Sequence, residues 1–231
     1  MAKIHVIIPA AGSGSRMQQQ IPKQFISIGD KTLLEYVESI FSHSLAINSI
    51  SIAVSNSEKS IDNISHKFSK KTKIFFSGGE SRCETVLNTL NHIQCSSSDW
   101  ILVHDAARIG LTELNLREFI DYLATEKVGG VMAIPASDTV KRVNKNNEII
   151  NTEDREELWL AQTPQMFRYA ILKKALMEFK GNSTDESQAV EALGLKPKVF
   201  KGNPLNFKVT FAEDLIRAEK SLEILGKKND I

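Results

Sequence analysis

The sequence predicts an α/β protein with a mainly parallel sheet, because short apolar strands alternate with amphipathic helices along most of the chain. Two segments show the pattern most clearly. The β-branched run that ends at Pro9 is followed by a glycine-rich turn, and the run Trp100–Val103 is apolar throughout, as expected for a buried strand. Strands separated by helices connect through right-handed crossovers, which lay helices over both faces of the sheet.

Each further element is predicted from its periodicity and its boundary residues. Thr32 and Glu35 form a capping box at the start of a helix whose apolar residues recur three or four positions apart. The same spacing predicts helices over 61–68, 86–93, 119–123, 169–179 and 185–193. Apolar runs predict strands at 50–54, 73–76, 130–135 and 198–200. A second capping box, from Thr210 to Glu213, opens the last predicted helix.

The alternation stops at 138–152, where the sequence predicts a hairpin with a polar tip at 144–147. An isolated two-stranded ribbon is marginal in water, so this hairpin is expected to pack on something else, such as a second subunit. No internal repeat or low-complexity linker divides the chain. We therefore predict one domain, 1–231, that carries a β-arm at about 138–160.

Composition excludes several classes of protein. The chain has 231 residues, of which 42% are hydrophobic and 25% charged, which is typical of a folded globular protein. Its net charge is 29 − 28 = +1, so no global field favours nucleic acid or an anionic membrane. The two cysteines form no C-x-x-C pair, and no apolar run has the length of a signal peptide or of a membrane span. These observations predict a cytoplasmic protein.

The loop after the first strand is a candidate phosphate site. Small residues at 10–14 let backbone N–H groups approach a phosphate, and Arg16 and Lys23 can offset its charge. Met17 replaces the last glycine of a dinucleotide fingerprint, and the G-x-x-x-x-G-K-[ST] motif is absent. The alternative is a plain strand-to-helix turn with incidental basic residues.

Three further regions that follow predicted strands are candidates for ligand contacts. Residues 78–85 could recognise a base or ribose, or could simply start a helix with Ser81 as its cap and Glu84 completing a capping box. Asp105 and Arg108 could bind a ligand or metal, or could pair with each other. The third region joins polar residues that are unremarkable one by one: Thr139, Arg155, Thr163 and Lys208. Neither a Ser-His-Asp order nor an H-E-x-x-H motif occurs, and His104 is predicted to be structural.

Taken together and in order, these motifs resemble the 2-C-methyl-D-erythritol 4-phosphate cytidylyltransferase family nearly end to end. The motifs are Pro9-Ala10-Ala11-Gly12-x-Gly14-x-Arg16-Met17, Pro22-Lys23-Gln24, Gly78-Gly79-x-x-Arg82, Val103-His104-Asp105-Ala106-Ala107-Arg108, Asp138-Thr139-x-Lys141, Asp154-Arg155, Leu160-x-x-Thr163-Pro164-Gln165, Thr184-Asp185-Glu186 and Lys208-Val209-Thr210. The resemblance implies a Rossmann-like nucleotidyltransferase fold, a homodimer joined through the β-arm, and a divalent cation, normally Mg²⁺.

The resemblance also implies transfer of CMP from CTP to methylerythritol phosphate in the non-mevalonate isoprenoid pathway. A phosphate monoester has a second pKa near 6, so at neutral pH it is already a nucleophilic dianion. The reaction therefore needs charge neutralisation and in-line placement rather than a protein base, which agrees with the absence of a candidate catalytic histidine.

Residue roles follow from the resemblance, position by position. In the family's pattern, Arg16 and Lys23 would stabilise the charge of the pentacoordinate transition state. Arg155 and Lys208 would orient the polyol phosphate, assisted by Thr139 and Thr163. The partner subunit's arm would contribute Thr139 and Arg155. The remaining implied substrate contacts are Ala10, Ala11 and Gly12 through their backbone, Gly79, Glu80 and Thr85 near cytosine, and Asp105, Ala106 and Arg108 near the nucleotide, with Asp105 also the implied metal ligand.

Three positions depart from the family's usual pattern, and three other functions compete. Ile109 stands where proline is usual, and Glu80 and Thr85 replace Asp and Ser. The nearest alternative is ribitol 5-phosphate cytidylyltransferase, which shares nearly every motif. A non-catalytic nucleotide-binding regulatory protein is disfavoured by the retained basic residues, and an NAD-dependent oxidoreductase is disfavoured by Met17.

Overall fold

A computed structural model describes residues 2–13 and 21–229, with side-chain burial described as far as Leu225. A seven-stranded sheet with the order β12-β8-β11-β6-β1-β4-β5 forms its centre. These strands are β1 (Ile4–Pro9), β4 (Ser49–Val54), β5 (Thr72–Phe76), β6 (Trp100–Val103), β8 (Gly129–Pro135), β11 (Trp159–Arg168) and β12 (Lys198–Lys201). The helices are α1 (Leu33–His43), α2 (Arg82–Leu90), α3 (Glu113–Leu123), α4 (Tyr169–Glu178), α5 (Glu186–Ala192) and α6 (Glu213–Asn229).

The sheet is mainly parallel, as predicted. β1 pairs in parallel with β4 and β6, β4 pairs with β5, and β12 pairs with β8. Only β11 in this sheet runs against its neighbours, β6 and β8. β11 was not predicted, because its Thr-Pro-Gln segment resembles a loop. That segment lies where the pairing with β8 shifts register, between Ala161 and Gln165, so the strand accommodates the proline there.

Two apolar layers enclose the sheet, so both of its faces are buried. Alternate residues of β1 show this: Val6 and Ile8 pack into the layer that contains α1 and α3, whereas Ile7 packs into the layer that contains α2, α4 and α5. A smaller cluster joins Leu33 to Val209 near the short paired strands. Those pairs are β2 (Ser27–Ile28) with β3 (Lys31–Thr32), and β7 (Arg108–Ile109) with β13 (Phe207–Lys208). Among the described residues, no helix combines the length and apolarity that a membrane span requires.

One predicted helix is wrong. Residues 61–68 form two short 3-10 turns, Ser60–Asn63 and Ser65–Lys67, instead of an amphipathic α-helix. The apolar spacing that suggested a helix is the i, i+3 spacing of Ile61 and Ile64, which a 3-10 turn also places on one side. Asp62 and Asn63 between them, and the serines at 60 and 65 on either side, favour local turns over a continuous helix.

Of the three predicted capping boxes, one is present in full, one lacks its second hydrogen bond, and one is absent. The Thr32–Glu35 capping box is present in full. Ser81 caps α2 as predicted, but the Glu84 carboxylate accepts the N–H of Glu80 rather than completing a box. The predicted box at Thr210 is wrong: the carboxylate of Asp214 accepts the N–H groups of Thr210 and Phe211.

The predicted hairpin is present. β9 (Lys141–Val143) pairs antiparallel with β10 (Ile149–Thr152), and the tip contains Asn147 with a positive φ of 62°. All residues of both strands are exposed, including apolar side chains: Ile149 is 64% exposed and Ile150 is 61% exposed. Trp159 and Leu160, which follow the hairpin, are exposed as well.

Candidate active site

A cavity of about 540 Å³ opens at the carboxyl ends of β1 and β6, where the sequence analysis placed the ligand site. Four segments form its wall: the loop after β1, the turn that precedes α2, the loop after β6, and the segment around Lys208. Ten predicted site residues line it: Ala10, Ala11, Gly12, Lys23, Gly79, Glu80, Thr85, Asp105, Ala106 and Lys208.

The carboxylate of Asp105 lies in the wall of the cavity between two cations. Its Oδ1 accepts a hydrogen bond from Arg82 Nε at 2.8 Å, and its Oδ2 lies 2.9 Å from Lys208 Nζ. Burial alone would raise the pKa of this carboxyl, but Arg82 and Lys208 outweigh burial and hold that pKa well below its usual range. Asp105 is therefore ionised, and it fixes the ammonium of Lys208 at the mouth of the site.

Arg82 joins this site to a second buried carboxylate. Its Nη1 donates to Glu186 Oε1 at 2.6 Å, and the side chain of Glu186 is 1% exposed. Burial raises the pKa of Glu186, whereas the charge of Arg82 opposes that rise. Arg82 and Glu186 stand in the sequence motifs without an assigned role, because only the tertiary structure brings the first residues of α2 and α5 together.

The side chain of Lys23 contacts the segment that contains Lys208. Lys23 Nζ donates to the carbonyl of Val209 at 2.7 Å. The neighbouring Gln24 is buried and donates from its Nε2 to the carbonyls of Ala10 and Gly12. Gln24, which stands in a family motif without a predicted role, thus fixes the loop that was predicted to hold the phosphates.

The turn before α2 lies tightly against the loop after β1. A Cβ added to Gly78 would lie 2.9 Å from the Cβ of Ala11 and from the Cα of Ser55, so this close approach requires glycine. The hydroxyl of Thr85, a predicted cytosine contact, accepts the N–H of Gly79 and donates to the carbonyl of Ser81. Its observed contacts therefore hold the shape of the turn.

Several predicted site residues lie elsewhere. Thr163 is buried behind Asp105 and accepts its N–H, and Arg108 donates to the carbonyl of Asn206. The alternative Asp105–Arg108 ion pair is wrong, since the carboxylate pairs with Arg82 and Lys208. Thr139 and Arg155 are exposed on the arm and do not line the cavity of their own chain. Arg16 lies outside the described residues.

His104 is structural, as predicted. Its Nε2 donates to the carbonyl of Arg108, and its Nδ1 accepts from the hydroxyl of Thr163, so this network requires the neutral ring. Burial lowers the pKa of His104 to about 4. No proton-transfer role for it follows from these contacts.

This lowered pKa predicts how stability depends on pH. Between pH 6.5 and about 4 the unfolded chain binds a proton at His104 that the folded chain excludes. The free energy of unfolding should therefore fall as pH decreases through this window, by about 3 kcal/mol from this group. His5, whose pKa burial also lowers, contributes in the same direction.

Urea denaturation at several pH values, without divalent cations, measures this dependence. We expect His104→Asn to flatten the slope, while His66→Asn, at an exposed histidine, retains it. An unchanged slope in the His104 variant would contradict the assignment.

A cavity at the carboxyl edge of a mainly parallel sheet, with a glycine-bearing loop and two lysines held against it, is the kind of site that binds a nucleotide's phosphates and fits the nucleotidyltransferase class. Comparison with known proteins narrows the class. The family model of 2-C-methyl-D-erythritol 4-phosphate cytidylyltransferase matches residues 4–224, and the chain belongs to this family. Its reaction is accordingly the CTP-dependent cytidylyl transfer of isoprenoid biosynthesis.

Relatives and solved structures agree with this assignment. The enzyme of this name from Nitrosomonas eutropha is 43% identical over 95% of this chain and 96% of its own length, and that from Haemophilus influenzae is 40% identical over 94% and 95%. A crystal structure of 4-diphosphocytidyl-2C-methyl-D-erythritol synthase, 34% identical, superimposes with a TM-score of 0.85 over 96% of this chain and all of that one. The crystal structure of the Francisella tularensis enzyme, which is 30% identical, superimposes with a TM-score of 0.77 over 95% of this chain and all of that one. The predicted α/β fold with a mainly parallel sheet is therefore confirmed.

Proposed function

We propose that the cavity binds CTP with its triphosphate against the loop after β1, between Lys23 and Lys208. An oxygen of the methylerythritol phosphate attacks the α-phosphorus of CTP. The bond between the α-phosphorus and the oxygen that bridges it to the β-phosphorus breaks, and that oxygen leaves as part of pyrophosphate. One observation carries this proposal: Lys208 is fixed by Asp105 and Lys23 by the carbonyl of Val209, so both ammonium groups are held in place at the wall of the same cavity. Fixed cations stabilise the charge of a phosphoryl-transfer transition state without reorganising.

We assign recognition of the cytosine ring to the turn at Gly79 and Glu80. The hydrogen bonds of Thr85 hold the backbone of this turn, and Glu80 is exposed at the rim of the cavity. A carboxylate and backbone groups can pair with the amino group and ring acceptors of cytosine. Exchange of the family's usual Asp for Glu80 keeps the acceptor but lengthens the side chain.

The residues present fit a Mg²⁺ ion that is held mainly by the nucleotide. Mg²⁺ commonly takes one or two carboxylates together with substrate phosphates, and among the residues that line the cavity the carboxylates are Glu80 and Asp105. Asp105, which lies in the wall of the cavity, would be the protein ligand of this ion. When bound, the ion would neutralise charge on the triphosphate.

We further propose that two chains associate through their arms and that each arm completes the partner's site. The exposed apolar side chains of the hairpin and of Trp159 and Leu160 support an interface, because such residues are costly to leave in water. Thr139 and Arg155 lie outside the cavity of their own chain, which supports a contribution to a second one. The two free cysteines support a reducing, cytoplasmic location.

This arrangement predicts that Arg155→Ala raises KM for the polyol phosphate more than KM for CTP, because Arg155 would contact only the acceptor. Lys145→Ala, at the exposed hairpin tip, is the matched control and should change neither value. Steady-state kinetics with each substrate varied in turn measures both. Equal effects on the two KM values would exclude the assigned role.

A mixing experiment tests the sharing of sites. When Lys23→Ala and Arg155→Ala chains exchange subunits, half of the dimers are mixed and each mixed dimer regains one intact site. Activity at low acceptor concentration should rise to about a quarter of the wild-type value. No recovery despite proven subunit exchange would place both residues in one chain's site.

The substrate assignment is tested by pyrophosphate release with CTP and Mg²⁺, comparing methylerythritol 4-phosphate with ribitol 5-phosphate at matched concentrations. We expect a strong preference for the first acceptor. Faster pyrophosphate release with ribitol 5-phosphate would show that the enzyme activates that polyol phosphate instead. No pyrophosphate release with either acceptor would favour a non-catalytic nucleotide-binding role.

A further inference from the structure

Three potential metal ligands meet at the opposite edge of the sheet from the active site. His5 lies at the start of β1, Asp99 directly precedes β6, and Cys95 lies in the segment between α2 and β6. One ligand atom from each, the histidine nitrogen, the thiol sulfur and a carboxylate oxygen, all lie within 4.8 Å of one another. Among the described residues, this is the one group of three such side chains close enough to share an ion.

The buried imidazole of His5 is the strongest evidence for a ligand at this place. His5 is 7% exposed, and its Nε2 atom is buried without a hydrogen bond; the contact with Asp99 Oδ2, at 3.6 Å, is an ion pair only when the ring is protonated. A buried ring nitrogen left unpaired is costly, so its position requires a reason. The other nitrogen, Nδ1, lies 2.8 Å from the hydroxyl of Ser49. A ligating histidine commonly donates its second N–H to such a partner, which fixes the ring orientation.

The other two side chains are positioned to complete the set. The Asp99 carboxylate accepts the N–H groups of Lys3 and Ser96, one on each oxygen, so its orientation is fixed and a second lone pair remains on each oxygen. Cys95 is a free thiol of intermediate exposure, which gives an ion a route from solvent. Ligand atoms around a four-coordinate zinc lie roughly 3.3–3.7 Å apart, so the histidine–aspartate spacing already matches and only the thiol has to approach.

We propose that His5, Cys95 and Asp99 form a binding site for a zinc-like transition-metal ion, with a water as the fourth ligand. A mixed nitrogen, sulfur and oxygen set favours Zn²⁺ or Co²⁺ over Mg²⁺, which prefers oxygen ligands, so this site is distinct in chemistry from the catalytic one. Burial raises the pKa of the Cys95 thiol to about 11, so an ion that binds at neutral pH displaces the thiol proton to solvent. The bound ion would join the segment before β6 to the start of β1.

The test uses the untagged full-length protein, reduced and freed of metal, titrated with Co²⁺. We expect one equivalent to produce a thiolate-to-cobalt charge-transfer band and the visible bands of a four-coordinate ion, both abolished by excess Zn²⁺. Cys95→Ser should lose the charge-transfer band. Cys83→Ser, which removes the other cysteine from outside the cluster, should keep it.

A thermal readout makes the test independent of the spectrum. Zn²⁺ at about a hundredfold excess over its dissociation constant should raise Tm by about 5 °C or more in the wild type and in Cys83→Ser, but not in Cys95→Ser. His5→Gln should abolish both signals, and because Cys95 is partly exposed, its serine variant tests the site even if the histidine variant unfolds. The absence of a thiolate band, or its persistence in Cys95→Ser, would overturn the proposal.

Discussion

Lys23→Ala is expected to lower kcat by about 100-fold or more, because removing one preorganised contact to transition-state charge typically costs about 2.7–4 kcal/mol. The ammonium of Lys23 is fixed against the carbonyl of Val209 at the wall of the cavity. Its charge is therefore in place before the substrates react. Single-turnover measurements of pyrophosphate release with saturating CTP and acceptor give the relevant rate.

Two controls separate this role from a general loss of positive charge. Lys70→Ala removes a lysine from an exposed position after the second 3-10 turn and should leave kcat within twofold of the wild type. Lys23→Arg should recover only part of the activity, because a guanidinium differs in shape from a point-like ammonium. A Lys23→Ala rate within twofold of the wild type would exclude the assigned role.

Arg82→Met is expected to lower the free energy of unfolding by about 3 kcal/mol, since removal of one partner leaves a buried carboxylate without compensation. Arg82 bridges Asp105 and Glu186, and the side chains of these two acids are 10% and 1% exposed. Asp105 keeps Lys208 as a partner in this variant, whereas Glu186 has no other ion pair among the described residues. Denaturation by urea, with the slope checked for constancy, gives the change in stability.

The double variant Arg82→Met/Glu186→Gln distinguishes the structural from the catalytic consequence. Removing the uncompensated charge of Glu186 should recover much of the lost stability, and the cycle should show a coupling of about 1 kcal/mol or more. Arg82→Met should also lower kcat, and kcat should stay low in the double variant, because in both variants Asp105 lacks the guanidinium that orients it. Additive effects on stability would contradict the proposed bridge, and full recovery of kcat would show that Arg82 acts only on stability.

Local patterns were sufficient to predict most of the secondary structure, because the relevant interactions lie within a few residues along the chain. The capping box at Thr32 is satisfied entirely by its own helix, and the buried strand at Trp100–Val103 is evident from its uniform apolarity. The wrong helix at 61–68 shows the limit of such patterns, since the i, i+3 spacing of two isoleucines is common to an α-helix and a 3-10 turn. The unpredicted strand β11 acquires its partners from distant parts of the chain.

The sequence by itself determined the fold class, the edge of the sheet at which the ligand site lies, and, through the order of its motifs, the family. Only the tertiary structure decided which residues act together there. It separated Thr163 from the cavity wall, replaced the suspected Asp105–Arg108 pair, and brought Arg82 to both Asp105 and Glu186. The physical reason is that helix caps and strand patterns are satisfied locally, whereas a buried charge is stabilised by whichever partner the folded chain brings within about 3 Å, however distant in sequence.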